Sequence, residues 1–170
     1  AELARLALSP LERRQGTRAL VWPHLAAEQS MILAMINGTL KDRRPGVNVL
    51  IYGPPGTGKS EFVRDLIRRV EATGYQVRVD DDEGGEAMRH ERLANLLLCQ
   101  RFASHEERSV LVLDEAEDVF QDEASAVFGS TLRARGRSRR SRGETKGFVN
   151  RMLETNPHPV IWISNRIEHL

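Results

Sequence analysis

Residues Gly53-Pro54-Pro55-Gly56-Thr57-Gly58-Lys59-Ser60 stand between a short apolar run, Val47-Asn48-Val49-Leu50-Ile51-Tyr52, and a helical pattern that opens at Glu61. Few chain arrangements use that order. A strand, a glycine-rich loop and a helix in succession make a cradle whose backbone N–H groups converge on phosphate oxygens. Glycines let the loop wrap tightly, and the helix N-terminus adds a favourable dipole. In such a cradle the Lys59 ammonium would sit between β- and γ-phosphates as a point charge, and the Ser60 hydroxyl would hold Mg²⁺. Gly53, Pro54, Pro55, Gly56, Thr57, Gly58, Lys59, Ser60 and Glu61 are therefore the expected nucleotide-binding set, with a nucleoside triphosphate as ligand.

A phosphate cradle implies binding; turnover needs a Mg²⁺ partner and a group that activates water. The segment Ser109-Val110-Leu111-Val112-Leu113-Asp114-Glu115 carries both residue types. Its four consecutive apolar residues predict a strand buried on both faces, as in the middle of a parallel sheet. Two acids follow at the carboxyl end, where ligands bind in open α/β sheets. Asp114 is placed to hold Mg²⁺ through water, and Glu115 is the candidate general base. Acids also open helices. Their position about 55 residues after Lys59, in a chain that already carries a phosphate loop, favours the chemical role.

Together, GPPGTGKS and VLVLDEAE resemble the Walker A and Walker B pair of the AAA+ ATPases. A third segment agrees. Pro159-Val160-Ile161-Trp162-Ile163-Ser164-Asn165-Arg166 reads as a buried strand ending in a polar residue, and Asn165 matches the family's sensor 1, which helps to orient the attacking water. The resemblance covers roughly two-thirds of the chain. It implies ATP and Mg²⁺ as cofactors, Mg-dependent ATP hydrolysis with Lys59, Glu115 and Asn165 in catalysis, metal held by Ser60 and Asp114, and a homo-oligomeric ring coupled to remodelling of a macromolecular partner. It also implies a sheet in which the phosphate-loop strand lies beside the sensor 1 strand, then the Walker B strand, then Tyr75–Asp80. Trp22-Pro23-His24-Leu25 sits where family members often contact adenine, although Trp22 taken alone reads as core. The stretch Lys146-Gly147, Asn150 and Leu153-Glu154 resembles a group of bacterial members.

The whole chain is consistent with one α/β domain. Its 170 residues, 40% hydrophobic and 29% charged, suit a soluble globular core, and a net charge of +1 predicts no general affinity for nucleic acid or lipid. No stretch is long and apolar enough to span a membrane, and no signal peptide opens the chain. The single cysteine, Cys99, lies in an apolar helical run and reads as a buried thiol, which suits the cytoplasm. Residues 1–44 read as an N-terminal helical segment leading into a core over 45–170. Helices are expected over Ala26–Leu40, with Met31, Ile32, Met35, Ile36 and Leu40 on the packed face, and over Lys59–Ala72, closed by Gly74 as a cap. Further helices are expected over Ala87–Ala103, Glu115–Gly129 and Thr145–Thr155, with a last strand at His158–Ser164.

After Asn165 a whole family module would continue with a helix, a fifth strand and a helical lid that carry the arginine finger and sensor 2. The chain ends at Leu170, so the reading expects an incomplete core, excised, truncated or completed by another chain, as the non-Met start suggests. The phosphate-loop strand would then be a sheet edge unless the N-terminal segment covers it. Two stretches bear on the partner. Arg133 to Arg142 holds six arginines with Gly and Ser, reading either as a solvated loop or as a contact for nucleic acid or an acidic partner. Asp81 to Glu86 is acid and glycine only, without the aromatic pore residue of substrate-threading members. Two alternatives to an ATPase core stay open: a nucleotide-dependent DNA-binding accessory of replication or transposition type, and a non-hydrolysing ATP-binding switch.

Overall fold

The computed structural model describes residues 8–10, 21–77, 89–120 and 139–166. Among them, strand β1 (Leu8–Pro10) is followed by a 3-10 turn at Pro23–Leu25, helix α1 (Ala26–Asp42), β2 (Asn48–Tyr52) and α2 (Lys59–Arg69). Then come β3 (Thr73–Val77), α3 (Arg89–Ala103), β4 (Ser109–Leu113), the short α4 (Glu117–Phe120), α5 (Arg139–Thr155) and β5 (Val160–Ser164). The sheet order is β1-β3-β4-β5-β2, with β3, β4, β5 and β2 parallel and β1 antiparallel to β3. The expected neighbours of the phosphate-loop strand are thus in place. The sheet does hold a fifth strand, but it is the N-terminal Leu8–Pro10, within a segment read as helix-permissive. It adds to the β3 edge and leaves β2 at the opposite edge. Pro10 suits that place, because an edge strand tolerates a missing N–H.

Every residue of β4 and β5 is buried, so their near-continuous apolar runs have the cause expected of central strands. Period-2 alternation divides them between two cores. Val110, Val112, Ile161 and Ile163 pack with Val49 beneath α1 and α2, against Ile32, Ile36, Phe62, Val63 and Leu66. Leu111, Leu113, Val160 and Trp162 face the other way, beneath α3 and α5, against Leu93, Leu96, Cys99, Val149 and Met152. Helices therefore flank both faces of the sheet. Cys99 is fully buried, and the loss of solvent pushes its thiol up to about 12, so it packs as a small hydrophobe. Among the described residues no helix is long and apolar enough to cross a membrane.

Several expected boundaries moved, each for a local reason. Helix α2 ends at Arg69 rather than Ala72 because Glu71, not Gly74, takes the left-handed cap, at φ 51. The Glu71 and Ala72 N–H groups then donate to Arg68 and Ile67 carbonyls at 3.2 and 3.3 Å, the paired bonds that close a helix. That frees Thr73 and Gly74 to begin β3, two residues before the expected Tyr75. Helix α1 buries Ile32 and Ile36 but leaves Met31 65% exposed and Met35 partly exposed, so its packed face is narrower than the apolar pattern suggested. Arg64 is half-buried rather than exposed, held 2.7 Å from Glu61. Helix α5 starts at Arg139, six residues before the expected Thr145, so Arg139 to Arg142 belong to a helix rather than a loop. The acidic stretch at 81–86, residues 133–138 and the continuation of the Glu115–Gly129 helix past 120 lie outside the described residues.

At the foot of the sheet a polar network joins three elements. Asn48 of β2 donates to the Leu153 carbonyl of α5 at 2.7 Å and accepts from Trp162 Nε1 at 3.1 Å. Asn156, just past α5, donates to the Val47 and His158 carbonyls at 3.2 and 2.8 Å. Amides with this many partners, Asn156 buried and Asn48 half-buried, fix one arrangement of strands and helix.

Candidate functional site

The parallel ladder sets the geometry of the site. Tyr52 pairs with Ser164 in register, and the Gly53 N–H donates to the Ser164 carbonyl at 3.2 Å. The loop after β2 and Asn165 after β5 therefore leave the sheet side by side. β4 ends on the other flank of β5, where the Ala116 N–H donates to the Ile163 carbonyl at 2.8 Å. Three segments far apart in the sequence thus meet at the carboxyl edge, the usual place for ligands in a parallel sheet.

Within the loop, Thr57 Oγ1 donates to the Pro54 carbonyl at 2.9 Å. Gly58 forms the N-cap of α2 at φ 86, a left-handed conformation that a side chain would strain. Having no side chain, it also leaves the first amides of α2 without a side-chain cap. The Trp22 indole packs edge-on against Phe62, centroids 5.2 Å apart, and comes up to the loop beside Gly58. It is half-buried, part of the core beneath α2 and an edge of the site at once.

Lys59 Nζ donates to the Gly53 and Pro54 carbonyls at 2.8 and 2.9 Å, and to Asn165 Oδ1 at 2.9 Å. Ser60 Oγ donates to Asp114 Oδ2 at 3.2 Å. These contacts bring together the residues expected to hold phosphate, metal and water. Ser60 and Asp114 offer hard oxygen donors whose near atoms lie 3.2 Å apart, which fits Mg²⁺ chemistry. Pro55 and Gly56 lie on the exposed rim of the loop. Glu61, in the first turn of α2, accepts from Arg64 at 2.7 Å.

Glu115 does not open a helix as expected. It takes a left-handed conformation at φ 54, its N–H donates to Asp114 Oδ1 at 2.9 Å, and the helix begins two residues later. The residue itself is exposed at the mouth of the site.

Two residues around this turn escaped the sequence reading. Arg92 of α3 is 1% exposed, and its guanidinium donates to the carbonyls of both Asp114 and Glu115, the latter at 2.9 Å. Nothing in the sequence marks it, since an arginine on a helix ordinarily lies on the solvated face. Glu117, 8% exposed, accepts from the Asn165 N–H at 3.2 Å and from Asn165 Nδ2 at 3.2 Å. Burial alone would raise its carboxyl. Hydrogen bonds from its own N–H, from the Ser164 side chain and from Asn165 outweigh that and hold it below the usual range. Its only signal was a second acid two residues after Glu115, which reads equally as a helix-opening charge.

A family model described as an AAA ATPase domain matches residues 22–161. The chain is 26% identical over 133 residues to replication factor C subunit 3 of Oryza sativa subsp. japonica, covering 70% of this chain and 34% of that protein. It is also 26% identical over 170 residues to ATPase family AAA domain-containing protein 3A of Rattus norvegicus, covering 98% of this chain and 28% of the relative. The chain therefore spans about a third or less of the length of these curated relatives. Among solved structures it is similar to a chain in the E. coli MS115-1 HORMA:CdnC:Trip13 complex, with TM-score 0.48 and 18% identity, covering 86% of this chain and 58% of that one.

Proposed function

Because the chain belongs to the AAA ATPase domain family, we propose that it binds ATP across Gly53–Glu61, the loop and the first turn of α2, and hydrolyses it with Mg²⁺. In this reading the backbone of Gly56 to Ser60 and the Lys59 ammonium hold the phosphates. Ser60 and Asp114 would hold Mg²⁺, which would supply positive charge to offset that of the phosphates. Glu115 takes the proton of the attacking water and Asn165 orients that water. The observation that carries the reading is the paired contact of Ser60 with Asp114 and of Lys59 with Asn165, residues 54 and 106 positions apart. All three motifs fall within residues 45–170, and the described part of the N-terminal 44 residues adds β1 to the sheet and α1 to one of its faces. In this reading a homo-oligomeric ring couples turnover to remodelling of a macromolecular partner in the cytoplasm, with the arginine finger coming from additional sequence or another subunit. Steady-state ATP hydrolysis beside calorimetric Mg-ATP binding, on the parent and on Glu115→Gln, is the test. Turnover lost with binding kept supports the proposal, and parent-rate hydrolysis in the variant removes Glu115 from the role of base.

A second reading, a nucleotide-dependent DNA-binding accessory, draws on the arginines of 133–142 and on the relative named as a replication factor C subunit. It predicts DNA binding that weakens steeply with salt and vanishes when those arginines become serine. No binding at low salt would end it.

A further inference from the structure

We infer that Glu117 is a positioning residue that locks the side-chain amide of Asn165 in one orientation and, through it, sets the place of the Lys59 ammonium. The inference rests on the reading of Asn165 and Lys59 given above, and deepens it.

An asparagine amide has two chemically different ends, and little else in its shape tells them apart. Here each end meets a group that accepts only one of them. A carboxylate is an acceptor and an ammonium is a donor. Glu117 Oε1 takes the Nδ2 end at 3.2 Å, and Lys59 Nζ takes the Oδ1 end at 2.9 Å. Turning the amide over would set N–H against ammonium and oxygen against carboxylate, replacing two charge-assisted bonds by two repulsions. Glu117 also accepts from the Asn165 backbone N–H, through Oε1 at 3.3 Å and Oε2 at 3.2 Å, so it fixes the main chain that carries the amide. The carboxylate is buried and held charged by these bonds, as an acceptor in this role must be. One Nδ2 hydrogen is committed to Glu117, which leaves the second for a γ-phosphate or water oxygen.

The bland alternative is that Glu117 only opens α4. That helix has four residues, and its opening charge would have no reason to reach across to β5. Instead, the carboxylate joins the segment after β4 to the residue after β5, so the two motifs share one charged acceptor.

The test reads γ-phosphate discrimination, which does not require turnover. Affinities for Mg-bound β,γ-imido-ATP and for Mg-ADP are measured on the parent, Asn165→Ala, Glu117→Gln and the double variant. Each single substitution is expected to lower the triphosphate-to-diphosphate preference about tenfold, as the loss of a charge-assisted bond implies. The double variant is expected to lose no more than Asn165→Ala alone, because Glu117 acts through that side chain. Additive losses would overturn the inference, as would a parent-like preference in Glu117→Gln beside a reduced one in Asn165→Ala. An unchanged preference in Asn165→Ala would instead remove Asn165 from the site, and this inference with it. Should Glu117→Gln fail to fold, Glu117→Asp keeps the charge but draws the acceptor back by one methylene. A lowered preference supports the lock, and a parent-like value sinks it.

Discussion

The guanidinium of Arg92 donates to the main-chain carbonyl of Glu115 at 2.9 Å and to that of Asp114 beside it. A buried cation on α3 thus holds the turn in which Glu115 takes its left-handed conformation. Non-glycine residues resist that conformation, and it persists where surrounding bonds over-determine it. Arg92→Met, similar in length but unable to donate, should destabilise the fold by about 2 kcal/mol, since two buried carbonyls lose a donor. Urea unfolding measures this. A loss below about 0.5 kcal/mol would show that the turn stands without the guanidinium.

Glu115→Gln should retain Mg-ATP binding while turnover falls by about 10²-fold or more, the usual effect of removing a general base. Single-turnover kinetics under saturating ATP separate this from a binding defect. Similar falls in affinity and rate would mean that the residue contributes to binding instead.

Gly46 precedes β2 at φ 80, and a Cβ there would lie 2.5 Å from the Glu154 carbonyl oxygen near the end of α5. Backbone meets backbone at that point, so nothing flexible can give way. Gly46→Ala should cost about 2 kcal/mol through strain and displacement of α5, visible as a lower melting temperature. An unchanged melt would mean that α5 shifts freely against β2, contrary to the Asn48 and Asn156 network.

His158 lies half-buried at the foot of β5, its Nδ1 2.9 Å from Ser109 Oγ. Burial holds its imidazole below the usual 6.5, against a smaller opposing effect from a backbone bond with Gln100. The folded state therefore disfavours the charged ring, while the unfolded chain binds its proton near pH 6.5. Stability should be fully present above that value and decline as pH falls toward the folded value. Melting temperatures between pH 8 and 5 check this, in a window above the range where Glu117, held below the usual carboxylate range, titrates. His158→Gln should flatten the slope, and an equally steep slope in that variant would place the titrating group elsewhere.

The elements legible in the sequence were those whose cause is local. The apolar runs of β4 and β5 are short and bounded by polar residues, which favours buried strands, and the loop from Gly53 to Ser60 needs its glycines for its tight wrap. What escaped was decided by tertiary contacts. Glu71 outcompeted Gly74 for the cap because starting β3 early pairs Thr73 and Gly74 with Ser109 and Val110. Met31 and Met35 fit the helical period, yet α1 turns Ile32 and Ile36 fully inward, with Leu33 and Leu40 packed beside them, and leaves the two methionines exposed. Arg92 and Glu117 carry charges that ordinarily mark solvent, and only the folded arrangement shows that they hold backbone and amide groups in the interior.

The register of β2 on β5, with Tyr52 opposite Ser164, has a consequence for how such a site can vary. A hydrogen-bond ladder moves in whole residues, and a slip of one would turn Val49 and Ile51 out of their core. The separation between the loop and Asn165 is thus a counted quantity. Exposed side chains such as Leu50 and Tyr52 can change without altering the spacing across the cleft.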